Sequence, residues 1–251
     1  MALARTYSVA LVGVRGHLIE VEADIASGLP ATILVGLPDT ALREARDRIR
    51  AAIVNSGEAW PMSKITVGLS PAALPKRGSG FDLAIAVAIL AAAEAVPVDA
   101  LAGKMFLAEL GLDGRLRPVP GVLPAVVAAA PGVDTVVVAA PNVAEAALVP
   151  GVRAVGASSL LEVIVWLRGG PPPALPAAPE PPPEPAPDSR FALAKKLDLA
   201  EVLGQAEARL AVEICAAGGH NLSLLGPPGA GKTMLAERLP TILPPLEVAA
   251  A

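Results

Sequence analysis

The hydrophobic residues before residue 169 alternate between short β-rich runs and longer segments of helical periodicity. Runs rich in apolar and β-branched residues predict strands at Tyr7–Val12, His17–Val21, Ala31–Leu37, Ile65–Leu69, Met105–Leu110 and Thr135–Ala139. Apolar residues recur at helical spacing from Leu42 to Ile53, and Asp39 or Thr40 is placed to cap a helix that ends near Gly57. Strands that alternate with helices predict a mixed α/β domain over residues 1–168.

Three further segments refine this prediction. Leu83–Ala93 is apolar nearly all round, which predicts a helix buried on several faces, and Ser158–Leu167 predicts a last helix. Asp113-Gly114 lies between two apolar runs and predicts a tight hairpin turn. The uncharged run from Pro118 to Val133 is interrupted by prolines and glycines, so it does not supply the ~20 residues that a membrane span requires.

Composition predicts a folded protein and argues against several kinds of site. Hydrophobic residues make up 53% of the chain and charged residues 18%, which is enough for a core and too little charge for a disordered chain. Aromatic residues make up only 2%, which argues against platforms that stack rows of bases. The chain shows no signal peptide pattern, so we expect a cytoplasmic protein without a membrane partner. Cys215 is the single cysteine, and His17 and His220 are far apart, so we predict neither a disulfide nor a zinc site.

A proline-rich segment separates the chain into two parts. Residues 169–189 hold ten of the 27 prolines, three acidic residues and no basic residue. Because proline fixes φ and removes a backbone donor, this run predicts an extended linker between domains. A ligand for an SH3-type domain is the alternative, although no basic residue is present to orient it. In the second domain, residues 190–251, the pattern predicts a helix over Leu199–Ala217 and a short strand over Asn221–Leu225.

A phosphate-binding motif follows the predicted strand. The segment GPPGAGKT at residues 226–233 matches the P-loop (Walker A) pattern GxxxxGK[ST] at every fixed position, and a helix-compatible segment follows until Pro240. In such loops, glycines such as Gly226, Gly229 and Gly231 let backbone amides point at phosphate oxygens, and the helix adds its positive N-terminus. We predict that Lys232 contacts the β- and γ-phosphates of ATP and that Thr233 ligates Mg²⁺. The predicted binding residues are Gly226, Pro227, Pro228, Gly229, Ala230, Gly231, Lys232, Thr233 and Met234.

Hydrolysis of ATP requires more than this loop. It needs an acidic strand end that holds Mg²⁺ and commonly an arginine from a neighbouring subunit. The sequence ends 18 residues after Thr233, and no apolar strand ending in Asp-Glu follows the loop. We therefore predict no catalytic residues here and expect the chain to bind ATP without hydrolysing it alone.

Four separated segments resemble one known family. They are VGLPDTALREARDRIRAAIVNSG (35–57), LPKRGSGFDLAIAVAIL (74–90), AELGLDGRLRPVPGVLPA (108–125) and AAGGHNLSLLGPPGAGKTMLAERLPTILPPLE (216–247). In this order they strongly resemble the magnesium chelatase-like AAA+ ATPases of the YifB/ComM type. The resemblance implies a Lon-protease-like α/β domain at the N-terminus and an AAA+ domain that begins at residue 190. It also implies ATP-driven hexameric rings and, for competence members, branch migration on DNA.

The resemblance carries two further expectations. Val202–Gln205 resembles the segment that lies near adenine, which makes Asp198–Gln205 a second candidate nucleotide contact. Relatives continue beyond ILPPLE, so we expect this chain to be an incomplete motor. Two other functions stay open, namely a non-catalytic interaction module with a vestigial motor and a motor subunit of a metal chelatase.

The Lon-like domain raises the question of protease activity. Lon-type proteases activate a serine with a lysine, and on the family pattern the serine position falls on Gly80, next to Ser79. The lysine position falls on Leu123, which leaves the dyad without a base. We therefore predict no protease activity and expect Ser79 to be a turn or helix-cap residue.

The net charge of −4 restricts any DNA contact to a local patch. Arg43, Arg46 and Arg50 share one helix face and form one candidate patch. The favoured alternative is a solvated face on which Arg43 pairs with Asp47. Lys76 and Arg77 form a second candidate patch, for which an ordinary exposed loop is the favoured interpretation.

Overall fold

A computed structural model of the chain describes residues 3–36, 45–76, 78–173 and 197–244, together with the backbone of residues 2 and 40–44. The chain divides into two compact units, Met1–Ala177 and Ala178–Ala251. The predicted linker lies outside the described residues from position 174 onward, and so do the predicted cap residue Asp39 and the basic candidate Arg77.

The first unit is built on a mixed sheet of seven strands among the residues described. These strands are β1 (Ala2–Val12), β2 (Arg15–Ala26), β3 (Ala31–Val35), β4 (Lys64–Ser70), β5 (Lys104–Leu107), β8 (Thr135–Ala139) and β9 (Arg153–Ala157). Their spatial order is β3-β4-β2-β1-β5-β8-β9. The β1-β2 hairpin and the β2-β4 pair are antiparallel, whereas β3-β4, β1-β5, β5-β8 and β8-β9 are parallel. The predicted mixed α/β class is confirmed, and most neighbouring strands run parallel.

A short ladder confirms the predicted hairpin turn. Strand β6 (Glu109–Leu110) pairs antiparallel with β7 (Leu116–Arg117). Between them, Gly114 has φ +80°, a backbone conformation that glycine adopts readily. The Asp113-Gly114 turn therefore lies where the sequence predicts it.

Helices cover both faces of the sheet. They are α1 (Thr40–Asn55), α2 (Asp82–Ala92), α3 (Val122–Ala129), α4 (Val143–Ala146) and α5 (Leu160–Leu167). On β5, Phe106 joins the core formed with α1, α2 and α5, whereas Met105 and Leu107 join the core formed with α3 and α4. Because successive side chains of a strand point to opposite faces, these two cores lie on opposite sides of the sheet. Every residue of α2 is buried, which confirms the predicted burial on several faces.

Helices α3 and α4 and strand β9 of the first unit have no counterpart in the sequence prediction. Helix α3 begins within the proline- and glycine-rich run, with Pro124 as its third residue. A proline in the first turn costs little, because the N–H it lacks has no acceptor within the helix. Strand β9 contains Gly156 and few β-branched residues, and it forms by pairing with β8.

The second unit contains a 3₁₀ turn and two helices among its described residues. The turn spans Leu199–Glu201, and the helices are α6 (Ala206–Gly218) and α7 (Lys232–Ile242). A small core joins them, with Leu199, Val202, Val212 and Leu235 buried.

Three predictions for this unit are wrong. The single helix over Leu199–Ala217 is interrupted, because Gly204 (φ +73°) and Gln205 (φ +50°) turn the chain between the 3₁₀ turn and α6. Asn221–Leu225 is not a β-strand, since residues 197–244 offer no neighbouring strand to pair with it. Helix α7 passes through Pro240 and ends two residues later, although this proline has no N–H to donate to the carbonyl group four residues earlier.

Within the described parts of the chain, no helix combines the length and the hydrophobicity needed to cross a bilayer.

Candidate functional site

The P-loop wraps the N-terminal end of α7. Gly229 (φ +83°) and Gly231 (φ +77°) adopt left-handed conformations, and Gly231 is the N-cap residue of the helix. Side chains disfavour this backbone region, so glycine is the residue that lets the loop curl here. Gly226 does not adopt a positive φ, so the predicted need for a glycine is met at two of the three positions.

Lys232 and Thr233 begin the helix with different surroundings. The Lys232 ammonium donates hydrogen bonds to the carbonyl oxygens of Gly226 (2.8 Å) and Pro227 (2.7 Å), so it closes over the start of the loop. Thr233 is exposed. No side chain caps the helix, and its first turn contains no acidic residue, so its positive end is not offset locally.

The segment Asp198–Gln205 lies against the loop. A Cβ atom at Gly231 would lie 2.7 Å from the Gln205 amide nitrogen, which means that this side chain packs directly on the glycine. The structure thus brings together the P-loop and the second candidate segment, although 26 positions separate Gln205 from Gly231 in the sequence.

Arg238, which the sequence analysis did not single out, fastens this segment to α7. Its guanidinium donates to the carbonyl oxygen of Asp198 (3.0 Å), to the Glu201 carboxylate (3.0 Å) and to the carbonyl oxygen of Met234 (3.1 Å). Only 12% of the Arg238 side chain is exposed. Its position two turns after Lys232 on the same helix was the available signal, but its partners depend on the tertiary fold.

A separate pocket of the first unit surrounds Ser79. It has a volume of about 400 Å³ and is lined by Val9, Leu11, Gly78–Phe81, Leu107, Val119–Gly121 and Ala125. The Ser79 hydroxyl donates to the Glu109 carboxylate, and the N-cap residue of α2 is Phe81 without a side-chain cap. Ser79 therefore lies in the turn before α2, which is one of the two expected roles, and Phe81 takes the N-cap position. Leu123, at the position of the family lysine, is half-buried on α3.

The prediction that Lys76 belongs to a basic surface patch is wrong. This residue is fully buried, and its ammonium donates to the Pro71 carbonyl oxygen. Burial lowers the pKa of Lys76 because the ammonium loses hydration. Lys76 is therefore neither a surface patch residue nor part of an ordinary exposed loop.

A buried ion pair links α1 to α2. Arg48 Nε and Nη2 donate to the two carboxylate oxygens of Asp82 at 3.0 and 3.2 Å, and the Leu110 amide donates to Asp82 at 3.3 Å. Asp82 is completely buried. Burial raises the pKa of Asp82 to about 6, because the loss of hydration outweighs the stabilising effect of Arg48 on the charged form. The sequence signal was an acidic residue directly before a wholly apolar helix.

The arginine face of α1 is only partly described, because the Arg43 side chain lies outside the described residues. Arg46 Nε pairs with Asp47 at 3.1 Å, so the carboxylate expected to meet Arg43 has Arg46 as a partner. Arg46 and Arg50 are exposed and line one cavity with Trp60.

Metal ligands do not cluster in the described ranges, where no group of three or more His, Cys, Asp or Glu side chains is placed to hold an ion.

Comparison with known proteins yields two family matches and several long relatives. The family described as subunit ChlI of Mg-chelatase matches residues 21–142, and that described as magnesium chelatase, subunit ChlI, matches residues 198–251. An uncharacterized protein of Mycobacterium tuberculosis is 51% identical over 249 residues, which cover 98% of this chain and 47% of that protein. The competence protein ComM of Haemophilus influenzae is 44% identical over 97% of this chain and 47% of its own length. The uncharacterized protein YifB of Escherichia coli is 42% identical over 98% of this chain and 47% of its own length.

The chain spans about half the length of the curated relatives it matches. The second family match includes the whole P-loop and the Asp198–Gln205 segment packed on it. Because identity to ComM and YifB extends over nearly the whole chain, the chain belongs to the magnesium chelatase-like YifB/ComM family.

Proposed function

We propose that Gly226–Met234 bind the phosphates of Mg·ATP and that the chain supplies this nucleotide-binding segment to an AAA+ motor. The observation that carries the proposal is the loop at the start of α7, where two left-handed glycines curl the backbone around the Lys232 ammonium. The first N–H groups of a helix have no acceptor within the helix, and they favour an anion. The absence of an acidic residue from the first turn of α7 supports the same assignment.

Each residue of the loop then has a distinct task. Lys232 exchanges its two carbonyl partners for oxygens of the β- and γ-phosphates, and the exposed Thr233 hydroxyl is a ligand for Mg²⁺. Bound Mg²⁺ offsets the charge of the phosphates. Gln205 packs on Gly231, which supports Asp198–Gln205 as a second contact to the nucleotide.

We assign residues 1–168 to a Lon-like domain without protease activity, residues 169–189 to a linker and residues 190–251 to the beginning of the motor. We propose that this segment supplies ATP binding, and that hydrolysis also requires an acidic strand end that holds Mg²⁺ and an arginine from a neighbouring subunit. The family resemblance extends this proposal to a cytoplasmic motor that remodels DNA, including branch migration, as a hexameric ring. One relative, 44% identical, is named as a competence protein.

The nucleotide site is tested by titrating the chain with a fluorescent ATP analogue in the presence of Mg²⁺. Lys232→Ala removes hydrogen bonds to charged oxygens, each worth about 1.5–3 kcal/mol, so we expect binding to weaken at least tenfold. The matched control is Lys64→Ala, an exposed lysine of the first unit, which leaves binding unchanged. Equal binding by Lys232→Ala and the unaltered chain would refute the assignment. No binding by the unaltered chain would favour a non-catalytic interaction module with a vestigial motor.

The role of Thr233 is tested by the Mg²⁺ dependence of the same titration. Thr233→Ala is expected to bind the analogue equally with and without Mg²⁺, because it lacks the hydroxyl ligand. Thr241→Ala removes a hydroxyl from the same helix, where it donates to the Arg238 carbonyl oxygen, and retains the Mg²⁺ effect. A full Mg²⁺ effect in Thr233→Ala would assign the metal to another residue.

A motor subunit of a metal chelatase is the second candidate, because both family matches carry the description of chelatase subunit ChlI. Titration with a tetrapyrrole, followed by its absorbance, separates the two candidates. Binding of the tetrapyrrole that responds to Mg·ATP would favour the chelatase, whereas DNA binding without it favours the DNA motor.

A further inference from the structure

A cavity at one edge of the first unit combines positive charge with an aromatic ring. It has a volume of about 320 Å³ and lies beside the edge strand β3, between α1 and the segment that leads into β4. Its lining includes Thr32, Arg46, Asp47, Arg50, Trp60 and Met62. None of these residues belongs to the P-loop or to the pocket around Ser79.

The two arginines converge on this cavity because of their helical spacing. Arg46 and Arg50 are four residues apart, so their Cβ atoms are about 5–6 Å apart on one face of α1. Arg50 forms no ion pair or hydrogen bond with any described residue, whereas Arg46 is paired with Asp47 at 3.1 Å. The cavity therefore presents one unengaged guanidinium and a second that a carboxylate partly neutralises.

Trp60 and Met62 give the cavity an apolar wall. Trp60 is half-buried, since it packs on the main core and also lines the cavity, while 72% of Met62 is exposed. An indole ring accepts the flat face of a base, and base–aromatic stacking tolerates any base sequence. A guanidinium that lines the same cavity matches the phosphate of the same nucleotide.

We propose that this cavity holds one nucleotide of a DNA single strand, with its base on Trp60 and its phosphate on Arg50. The inference deepens the proposed function, on which it rests, by naming a strand contact on the N-terminal unit. An acidic peptide would satisfy the arginines but would leave the indole and the Met62 side chain without a planar partner. The mixed lining therefore favours a nucleotide unit.

The first test measures anisotropy of a fluorescent oligothymidylate of about 20 nucleotides, long enough for one binding site. Arg50→Gln should weaken binding about fivefold and reduce the slope of log K against log salt by about 0.7, the value for one phosphate contact. Asp47→Asn should strengthen binding, because it releases the Arg46 guanidinium. The control Arg15→Gln makes the same charge change at an exposed position outside the cavity and should lie close to the unaltered chain.

The second test detects stacking at Trp60. The chain has two tryptophans, so a Trp166→Phe background isolates the emission of Trp60. Oligothymidylate should quench this emission, whereas free AMP at the same nucleotide concentration should not. Equal quenching by AMP would overturn the strand assignment, and equal competition by polyglutamate would show charge attraction without recognition of a base.

Two outcomes refute the proposal outright: an Arg50→Gln affinity equal to that of Arg15→Gln, or oligonucleotide binding without any change in Trp60 emission. The nucleotide proposal is tested separately, because Arg50→Gln leaves Mg·ATP binding intact and Lys232→Ala leaves strand binding intact when ATP is absent. The two variants therefore distinguish a wrong assignment of the cavity from a wrong assignment of the P-loop.

Discussion

The buried Arg48–Asp82 pair predicts an unusual dependence of stability on pH. Burial raises the pKa of Asp82 from its ordinary value of 3.8 to about 6. The folded state therefore binds the proton of the Asp82 carboxyl group more tightly than the unfolded state does. The protonated carboxyl group contributes its full stabilisation of the fold below about pH 4. Stability is lost as the pH rises through the interval from about 4 to 6. A difference of about two pKa units corresponds to about 3 kcal/mol of unfolding free energy.

The substitution Asp82→Asn removes the titrating group while it keeps the shape of the side chain. We expect the unfolding free energy of the unaltered chain, relative to Asp82→Asn, to fall by about 2 kcal/mol between pH 4 and pH 6.5. Urea unfolding followed by tryptophan fluorescence measures this quantity for the first unit, because both tryptophans, Trp60 and Trp166, lie in it.

Two controls sharpen this measurement. Asp47→Asn makes the same change at a carboxylate whose side chain is 76% exposed, and its effect should stay within about 0.5 kcal/mol at every pH. Arg48→Gln leaves the Asp82 charge buried without its guanidinium and should cost about 3–5 kcal/mol at pH 7.5. The reasoning would be refuted if the unfolding free energy of the unaltered chain, relative to Asp82→Asn, rose with pH. Such a rise would mean that the attraction of Arg48 for the charged carboxylate outweighs the loss of hydration.

Two further predictions concern the P-loop and the pocket around Ser79. Gly231→Ala should weaken binding of the ATP analogue about tenfold, because a left-handed alanine costs about 1–2 kcal/mol and its Cβ would displace Gln205. Gly219→Ala imposes a similar backbone strain (φ +63°) in open space outside the loop, and calorimetry should find its ATP binding unchanged. For Ser79, a fluorophosphonate probe should not label the chain, and peptide hydrolysis should be equal for the unaltered chain and Ser79→Ala. Labelling of Ser79 would contradict the expectation that this serine, without the family's lysine, is not activated.

Local sequence patterns predicted the elements whose periodicity is complete within a few residues. The apolar run of α2 needed no distant partner to indicate burial, and alternating strands and helices identified the mixed α/β class. The P-loop motif likewise placed two left-handed glycines and a lysine at the start of α7. These signals are local because they depend on backbone freedom and on the helical repeat.

Local patterns predicted the wrong secondary structure where a neighbouring residue or a distant strand decided which element forms. The run around Pro124 contains helix breakers, yet α3 forms because the proline occupies the first turn. Asn221–Leu225 has the composition of a strand but does not form one among the described residues, since a ladder requires a partner. The predicted helix over Leu199–Ala217 is divided at Gly204 and Gln205, where the backbone adopts positive φ values.

The sequence by itself predicted the mixed α/β class, the family and the loop at residues 226–233 that matches the P-loop pattern. Only the tertiary structure decided that Lys76 is buried, that Arg48 meets Asp82 across 34 positions, and that Gln205 packs on Gly231. The physical reason is that a side chain's charge and shape are fixed by its identity, whereas its hydration and its partners are fixed by residues distant in sequence. Desolvation and ion pairing, which set the chemistry of these groups, therefore become readable only once the chain has folded.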